Sequence, residues 1–187
     1  MSAARNAQRE APVAALVRRT PRALVLCVVG VIALIALDQA SKMWAAGALD
    51  GGPIVVLDGV LDLVHAENPG GAWGILEDAP RELRVAGFAV VAIAFSVLLG
   101  TMLVRGHGGP LFAWGAPLVI AGALGNLIDR VARGTVTDFV HARWDGVFDY
   151  PVFNLADVWI FVGVALLVID SFRRPARAPG DAQAAAA

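Results

Sequence analysis

The stretch VAGFAVVAIAFSVLLGTMLV, residues 85–104, decides the fold because it carries no charge and lies between Arg84 and Arg105. A helix that crosses the hydrocarbon core of a bilayer needs about 20 mostly apolar residues. Further apolar stretches of nearly this length lie at 23–44, 110–128 and 153–169. With 58% hydrophobic residues in 187, the chain is too apolar for a small soluble protein. We therefore predict an all-α membrane protein with four transmembrane helices.

The basic residues orient these helices, because Lys and Arg near span ends are retained in the cytoplasm. With the N-terminus inside, the cytoplasmic segments hold Arg5, Arg9, Arg18, Arg19, Arg22, Arg105, Arg173, Arg174 and Arg177. Most acids then fall in two outer loops, 47–83 and 129–152. We expect both termini in the cytoplasm, and the net charge of −1 gives no indication of nucleic-acid binding.

The terminal segments 1–22 and 171–187 are rich in Arg, Ala, Pro or Gly and cannot bury a core, so we predict disordered tails around a domain at 23–170. The N-terminal segment also allows a second interpretation, a cleavable signal peptide. We favour an uncleaved helix, since cleavage would discard Asp38 and Lys42.

The first outer loop contains PIVVLDGVLDLVH, residues 53–65, in which apolar and polar residues alternate around Asp58-Gly59. This pattern predicts a small β-hairpin on the outer membrane surface. The segment ENPGG, residues 67–71, then predicts a sharp turn, because Asn and Pro initiate turns and Gly permits positive φ.

Four acids lie at the predicted outer ends of the spans, where an ionised side chain costs free energy that falls toward the interface. They are Asp38, Asp129, Asp138 and Asp157. Because all four are predicted at the outer side of the membrane, they indicate a polar pocket there.

Simpler explanations account for several of these polar residues. Asp38 and Lys42 have i,i+4 spacing, and we favour a structural ion pair for them. Asn154 can cap the fourth helix with Asp157 at N3, which alone could explain both residues. The cluster of Asn126, Asp129 and Arg130 is expected to orient a site, and capping does not explain Asp138.

Other catalytic chemistries lack the residues that they need. The chain has no H-E-x-x-H motif, and His65, His107 and His141 are scattered, so no metal site is predicted. Ser41 and Lys42 are adjacent and cannot face each other on a helix. The single Cys27 lies inside the first apolar run and is expected to be a free thiol. Paired carboxylates are the catalytic groups that the sequence still allows.

Five sequence blocks, in order, resemble the signature of the lipoprotein signal peptidase (signal peptidase II) family. They are Asp38-Gln-Ala-Ser-Lys42, Asn68-Pro-Gly-Gly-Ala-Trp73, Gly125-Asn-Leu-Ile-Asp-Arg130, Thr137-Asp-Phe139 and Phe153-Asn-Leu-Ala-Asp157. The resemblance covers about residues 23–170. Gly71 and Trp73 depart from the family's usual Ala and Phe, which affects the loop but not the acids.

The resemblance implies an aspartyl endopeptidase whose catalytic pair is Asp138 and Asp157. It further implies that Asn68, Asn126, Arg130 and Asn154 shape the site, and that Asp38, Lys42, Gly70 and Asp129 support it. The implied substrate is a diacylglyceryl-modified prolipoprotein, cut before its lipidated cysteine at the outer face of the bacterial inner membrane. We expect a monomer that contacts membrane lipid and uses no cofactor or metal. The alternatives are a small four-span proton-coupled transporter and a structural membrane protein.

Overall fold

The computed structural model describes residues 21–71, 75–144 and 146–173. Its helices are α1 (Pro21–Ala48), α2 (Arg81–Val104), α3 (Pro110–Arg133) and α4 (Leu155–Phe172). All four are long and apolar enough to cross a membrane, which confirms the predicted all-α membrane fold. The predicted tails lie outside the described residues, except that Pro21 and Arg22 begin α1, Ser171 and Phe172 end α4, and Arg173 is the C-cap of α4.

Helix α3 is central and packs against each of the other three helices. Glycines let α3 and α4 approach closely, since a Cβ on Gly122 would lie 2.3 Å from the carbonyl oxygen of Ala156. The outward faces of α1, α2 and α4 carry exposed large apolar side chains. These faces have the character that lipid contact requires.

The helices differ from the predicted spans at the end of the bundle that carries the site. Helix α3 runs to Arg133 rather than 128, because its last turns bury polar side chains against other elements instead of entering solvent. It stops at Gly134, whose φ of 87° is left-handed. Helix α4 begins at Leu155 rather than 153, because Phe153 pairs with Val140 and Asn154 caps the helix.

A four-stranded antiparallel sheet covers one end of the bundle, which we call the sheet end. Its strands are β1 (Ile54–Leu57), β2 (Leu61–Asn68), β3 (Val136–Trp144) and β4 (Phe148–Asp149), in the order β1-β2-β3-β4. The predicted hairpin is confirmed as β1 and β2, with Gly59 at a φ of 71° in the turn.

The segment predicted as the second outer loop, 129–152, contains the end of α3 and all of β3 and β4, two strands that the sequence did not predict. Residues 136–139 at the start of β3 are all buried and do not alternate between apolar and polar, and the alternation is confined to residues 140–144. Strand β3 pairs with β2 and brings Asp138 to the helix ends.

Candidate active site

Asp138 lies on β3 at the sheet end and is 2% exposed. Its Oδ2 accepts a hydrogen bond from Asn68 Nδ2 at 3.0 Å, and its Oδ1 accepts one from Asn154 Nδ2 at 2.6 Å. The two donors come from the end of β2 and the start of α4. This carboxyl group is therefore held from two sides by amides.

Asp157 lies in the first turn of α4 and forms a capping box with Asn154. The backbone N–H of Asp157 donates to Asn154 Oδ1, and the backbone N–H of Asn154 donates to Asp157 Oδ2, both at 3.1 Å. The predicted cap is confirmed. The other oxygen of Asp157 accepts from Asn126 Nδ2 at 2.8 Å, and Asn154 therefore contacts both carboxyl groups.

Burial raises the pKa of the Asp138 carboxyl to about 6, and the neighbouring charge of Asp157 adds to this shift. Hydrogen bonds from Asn68 and Asn154 and the charge of Lys42 act in the opposite direction. Desolvation outweighs them because the side chain is almost completely enclosed. Asp138 therefore gains and loses its proton much nearer neutral pH than an exposed aspartate does.

A buried ionic cluster supports this pair from beneath. Lys42 Nζ lies 2.9 Å from Asp38 Oδ2, 2.9 Å from Asp129 Oδ2 and 2.8 Å from Asn126 Oδ1. The predicted pair of Asp38 and Lys42 is confirmed, but Lys42 also links α1 to α3. Arg133 adds a second cation, 2.7 Å from Asp129 Oδ1.

Gln39 joins this cluster although the sequence did not single it out. Its Nε2 lies within hydrogen-bond distance of Asp38, Asp129 and the carbonyl oxygen of Gly125. Asp38 also accepts from the backbone N–H of Ala156, which ties α1 to α4. The only sequence feature that could have indicated a role for Gln39 is its position next to Asp38. The contact of Gln39 with α3 depends on helix packing, which the sequence pattern does not reveal.

The turn after β2 is held by Arg130, whose Nη2 donates to the carbonyl oxygen of Gly70 at 2.7 Å. The guanidinium also lies over the ring of Phe88 on α2, 4.1 Å from its centroid. Gly70 does not have the positive φ that the sequence suggested. Crowding requires glycine instead, because a Cβ would lie 2.9 Å from the carbonyl oxygen of Ile75. Trp73 lies outside the described residues.

Asp138 and Asp157 both open into one cavity of about 310 Å³. Its lining residues are Asn68, Gly71, Glu77, Asn126, Arg130, Val136, Asp138, Tyr150, Pro151, Val152, Phe153 and Asp157. The segment 150–152 was not predicted, because nothing in its composition indicates which element it faces. Every site residue predicted from sequence lies in this cavity wall, in its hydrogen-bonded support or in the adjoining turn. Within the described residues no cluster of three or more His, Cys, Asp or Glu could hold a metal ion.

The fold and the cavity define a four-helix membrane protein with an acid-lined site at one end of its bundle. A family model described as signal peptidase (SPase) II matches residues 30–173, and the chain belongs to this family of bacterial membrane proteases. This membership favours the protease over the transporter and structural alternatives.

Individual relatives cover most of this chain. It is 39% identical over 145 residues to the lipoprotein signal peptidase of Chromobacterium violaceum, covering 77% of this chain and 89% of the relative. The enzyme of the same name from Shewanella amazonensis is also 39% identical over 145 residues, covering 76% and 84%. A solved bacterial membrane enzyme structure superposes with a TM-score of 0.68 at 28% identity, covering 81% of this chain and 93% of the other.

Proposed function

We propose that this protein is an aspartyl endopeptidase that removes the signal peptide from diacylglyceryl-modified prolipoproteins, with Asp138 and Asp157 as its catalytic pair. The observation that carries the proposal is the position of Asn154. Its side chain donates to Asp138 and its backbone N–H donates to Asp157, so a buried and a half-buried carboxyl group from different elements face one cavity. Two such groups share a proton more readily than they ionise together.

In the proposed mechanism Asp157 is the base. It lies at the positive end of the α4 dipole, which favours the carboxylate, while Asp138 holds the shared proton. Asp157 takes a proton from water as the water oxygen attacks the scissile carbonyl carbon, and Asp138 donates a hydrogen bond to the carbonyl oxygen. The C–N bond then breaks, Asp138 transfers its proton to the leaving nitrogen, and the proton on Asp157 restores the shared one. These steps require no metal or organic cofactor.

The sheet end is proposed to lie at the outer face of the bacterial inner membrane, with both termini in the cytoplasm. In support, Arg22, Arg105 and Arg173 all lie at the opposite end of the bundle. Two exposed positions, His107 and Val147, mark the two ends. Single cysteines placed there in a Cys27→Ala background should react with a membrane-impermeant reagent in intact spheroplasts at Val147 alone. If only the His107→Cys protein were labelled, the orientation in the membrane would be the opposite of the proposed one.

The substrate proposal predicts that the lipid is recognised. A precursor peptide with a diacylglyceryl-cysteine should be cleaved directly before that cysteine, as read by mass spectrometry, and the same peptide without the lipid should be cleaved far more slowly. The apolar helix faces beside the cavity support this, since acyl chains can remain in lipid while the peptide enters. Equal cleavage of the two peptides would contradict the proposed substrate.

A further inference from the structure

Glu67 makes a group of contacts that the proposed mechanism does not use. Its Oε1 accepts a hydrogen bond from Thr137 Oγ1 at 3.1 Å, and its Oε2 accepts one from Thr135 Oγ1. Glu67 is on β2, while Thr137 is on β3 and Thr135 directly precedes that strand. We call these three residues the strand clasp. None of them lines the cavity.

The clasp and the site occupy opposite faces of the same strand pair. Glu67 is paired with Thr137 and Ala66 with Asp138. Because successive side chains of a strand point to opposite faces, Glu67 and Thr137 share one face, and Asn68 and Asp138 share the other. The 3.0 Å hydrogen bond between Asn68 and Asp138 therefore depends on the register that Glu67 and Thr137 hold.

The register at this place is not set by the rest of the sheet. Leu63 pairs with Val140 and Ala66 with Asp138, so β2 contains one more residue than β3 between these pairs. Because of this bulge, the register of the two strands on one side of it does not fix their register on the other side. Beyond it only a short paired segment remains. Because β3 is also held by its pairing with Phe153, a slip of one residue would move β2 and turn Asn68 away from Asp138.

The charge of Glu67 suits it to hold both threonines. Partial burial opposes its ionisation, but hydrogen bonds from Thr135, His65 and Thr137, together with the charge of Arg133, hold its pKa below the usual range. The ionised carboxylate has two acceptor oxygens, and each faces a hydroxyl group.

We propose that the strand clasp positions Asp138 and Asn68 for catalysis by fixing the register of β2 and β3 beyond the bulge. Its members are positioning residues that act through the strand pair and do not touch the substrate. The inference rests on the proposed function, because it presumes that Asp138 is catalytic.

The test compares kcat, KM and thermal unfolding, with a diacylglyceryl-modified precursor peptide as substrate. Thr137→Val and Glu67→Val remove the clasp while keeping β-branched residues in the strands. We expect kcat per folded molecule to fall about tenfold or more in each, with KM near normal, since a small misplacement of a reacting group is costly. Thr137→Ser should restore kcat, and the double variant should be hardly worse than either single one.

The matched control is Asp62→Asn, which breaks the 2.9 Å ion pair between Asp62 and Arg143 on the other side of the bulge. It should leave kcat unchanged. Three results would each overturn the proposal. The first is a normal kcat in Thr137→Val and Glu67→Val. The second is a change in these variants that affects only KM or the amount of folded protein, and the third is an equal loss of kcat in Asp62→Asn. If Glu67→Val does not accumulate, the comparison of Thr137→Val with Thr137→Ser decides alone.

Asp138→Asn in the same assay separates the two proposals. If it is inactive while the clasp variants are normal, only the clasp proposal fails. If it is active, the proposed catalytic pair fails.

Discussion

Lys42 and Asn126 are joined by a 2.8 Å hydrogen bond from Nζ to Oδ1. An ammonium group can only donate, so it fixes which end of the Asn126 amide is oxygen. Asn126 Nδ2 consequently points to Asp157 Oδ1, at 2.8 Å. A cation on α1 thus determines which hydrogen bond an aspartate on α4 receives.

This cluster makes Lys42→Met strongly destabilising, because Lys42 is 1% exposed and is paired with Asp38 and Asp129. Breaking a buried pair from one side costs about 3–5 kcal/mol. Asp129 keeps Arg133 as a partner, so the charge left behind is mainly that of Asp38. Chemical denaturation in detergent should show the loss.

Adding Asp38→Asn to Lys42→Met provides the control, since it removes the uncompensated charge and should recover part of the stability. A Lys42→Met protein as stable as the wild type would show that the ionic cluster is not needed for folding.

The raised pKa of Asp138 predicts how activity depends on pH. If Asp138 must hold the proton, kcat/KM should fall as the pH rises through about 6, approaching about tenfold per pH unit. The folded-state pKa lies above the usual 3.8, so the folded protein binds more protons than the unfolded chain between these values. The contribution of this carboxyl group to the free energy of unfolding therefore decreases as the pH rises across that window.

Asn68→Ala should move the alkaline limb of this profile to higher pH, because the hydrogen bond from Asn68 lowers the pKa of Asp138. The shift is read from the pH at half-maximal kcat/KM, which is independent of the absolute rate. Asp62→Asn, remote from the pair, should leave the limb in place. A limb that stays or moves to lower pH in Asn68→Ala would argue against Asp138 as the acid.

Local patterns in the sequence were sufficient for the helices and for contacts within one helix. The i,i+4 spacing of Asp38 and Lys42 and the i,i+3 spacing of Asn154 and Asp157 predicted contacts that the structure confirms. Helical geometry alone places such residues on one face, whatever the rest of the chain does. The uncharged run of α2 likewise needs no tertiary information to be recognised as a span.

Contacts between distant segments could not be predicted in this way. Nothing in the composition of α2 indicates that Phe88 supports Arg130, since it lies in a uniformly apolar run. The pairing of Glu67 with Thr137 depends on β3, a strand that the local sequence pattern does not indicate. The site's main residues were recognisable from their blocks, whereas their supports depend on packing.

The catalytic pair is tested most directly by the turnover of purified Asp138→Asn and Asp157→Asn on a lipid-modified precursor, normalised to folded protein. Asn keeps the size of Asp but cannot exchange the proton, so we expect each to lose about 100-fold or more. The double variant should be hardly worse than either single one, because the two groups act as a unit. The control is Asp149→Asn, which replaces an exposed acid on the same sheet and should leave turnover normal. Retention of more than about a tenth of normal turnover by either single variant would limit its contribution to about 1.4 kcal/mol and contradict the catalytic pair.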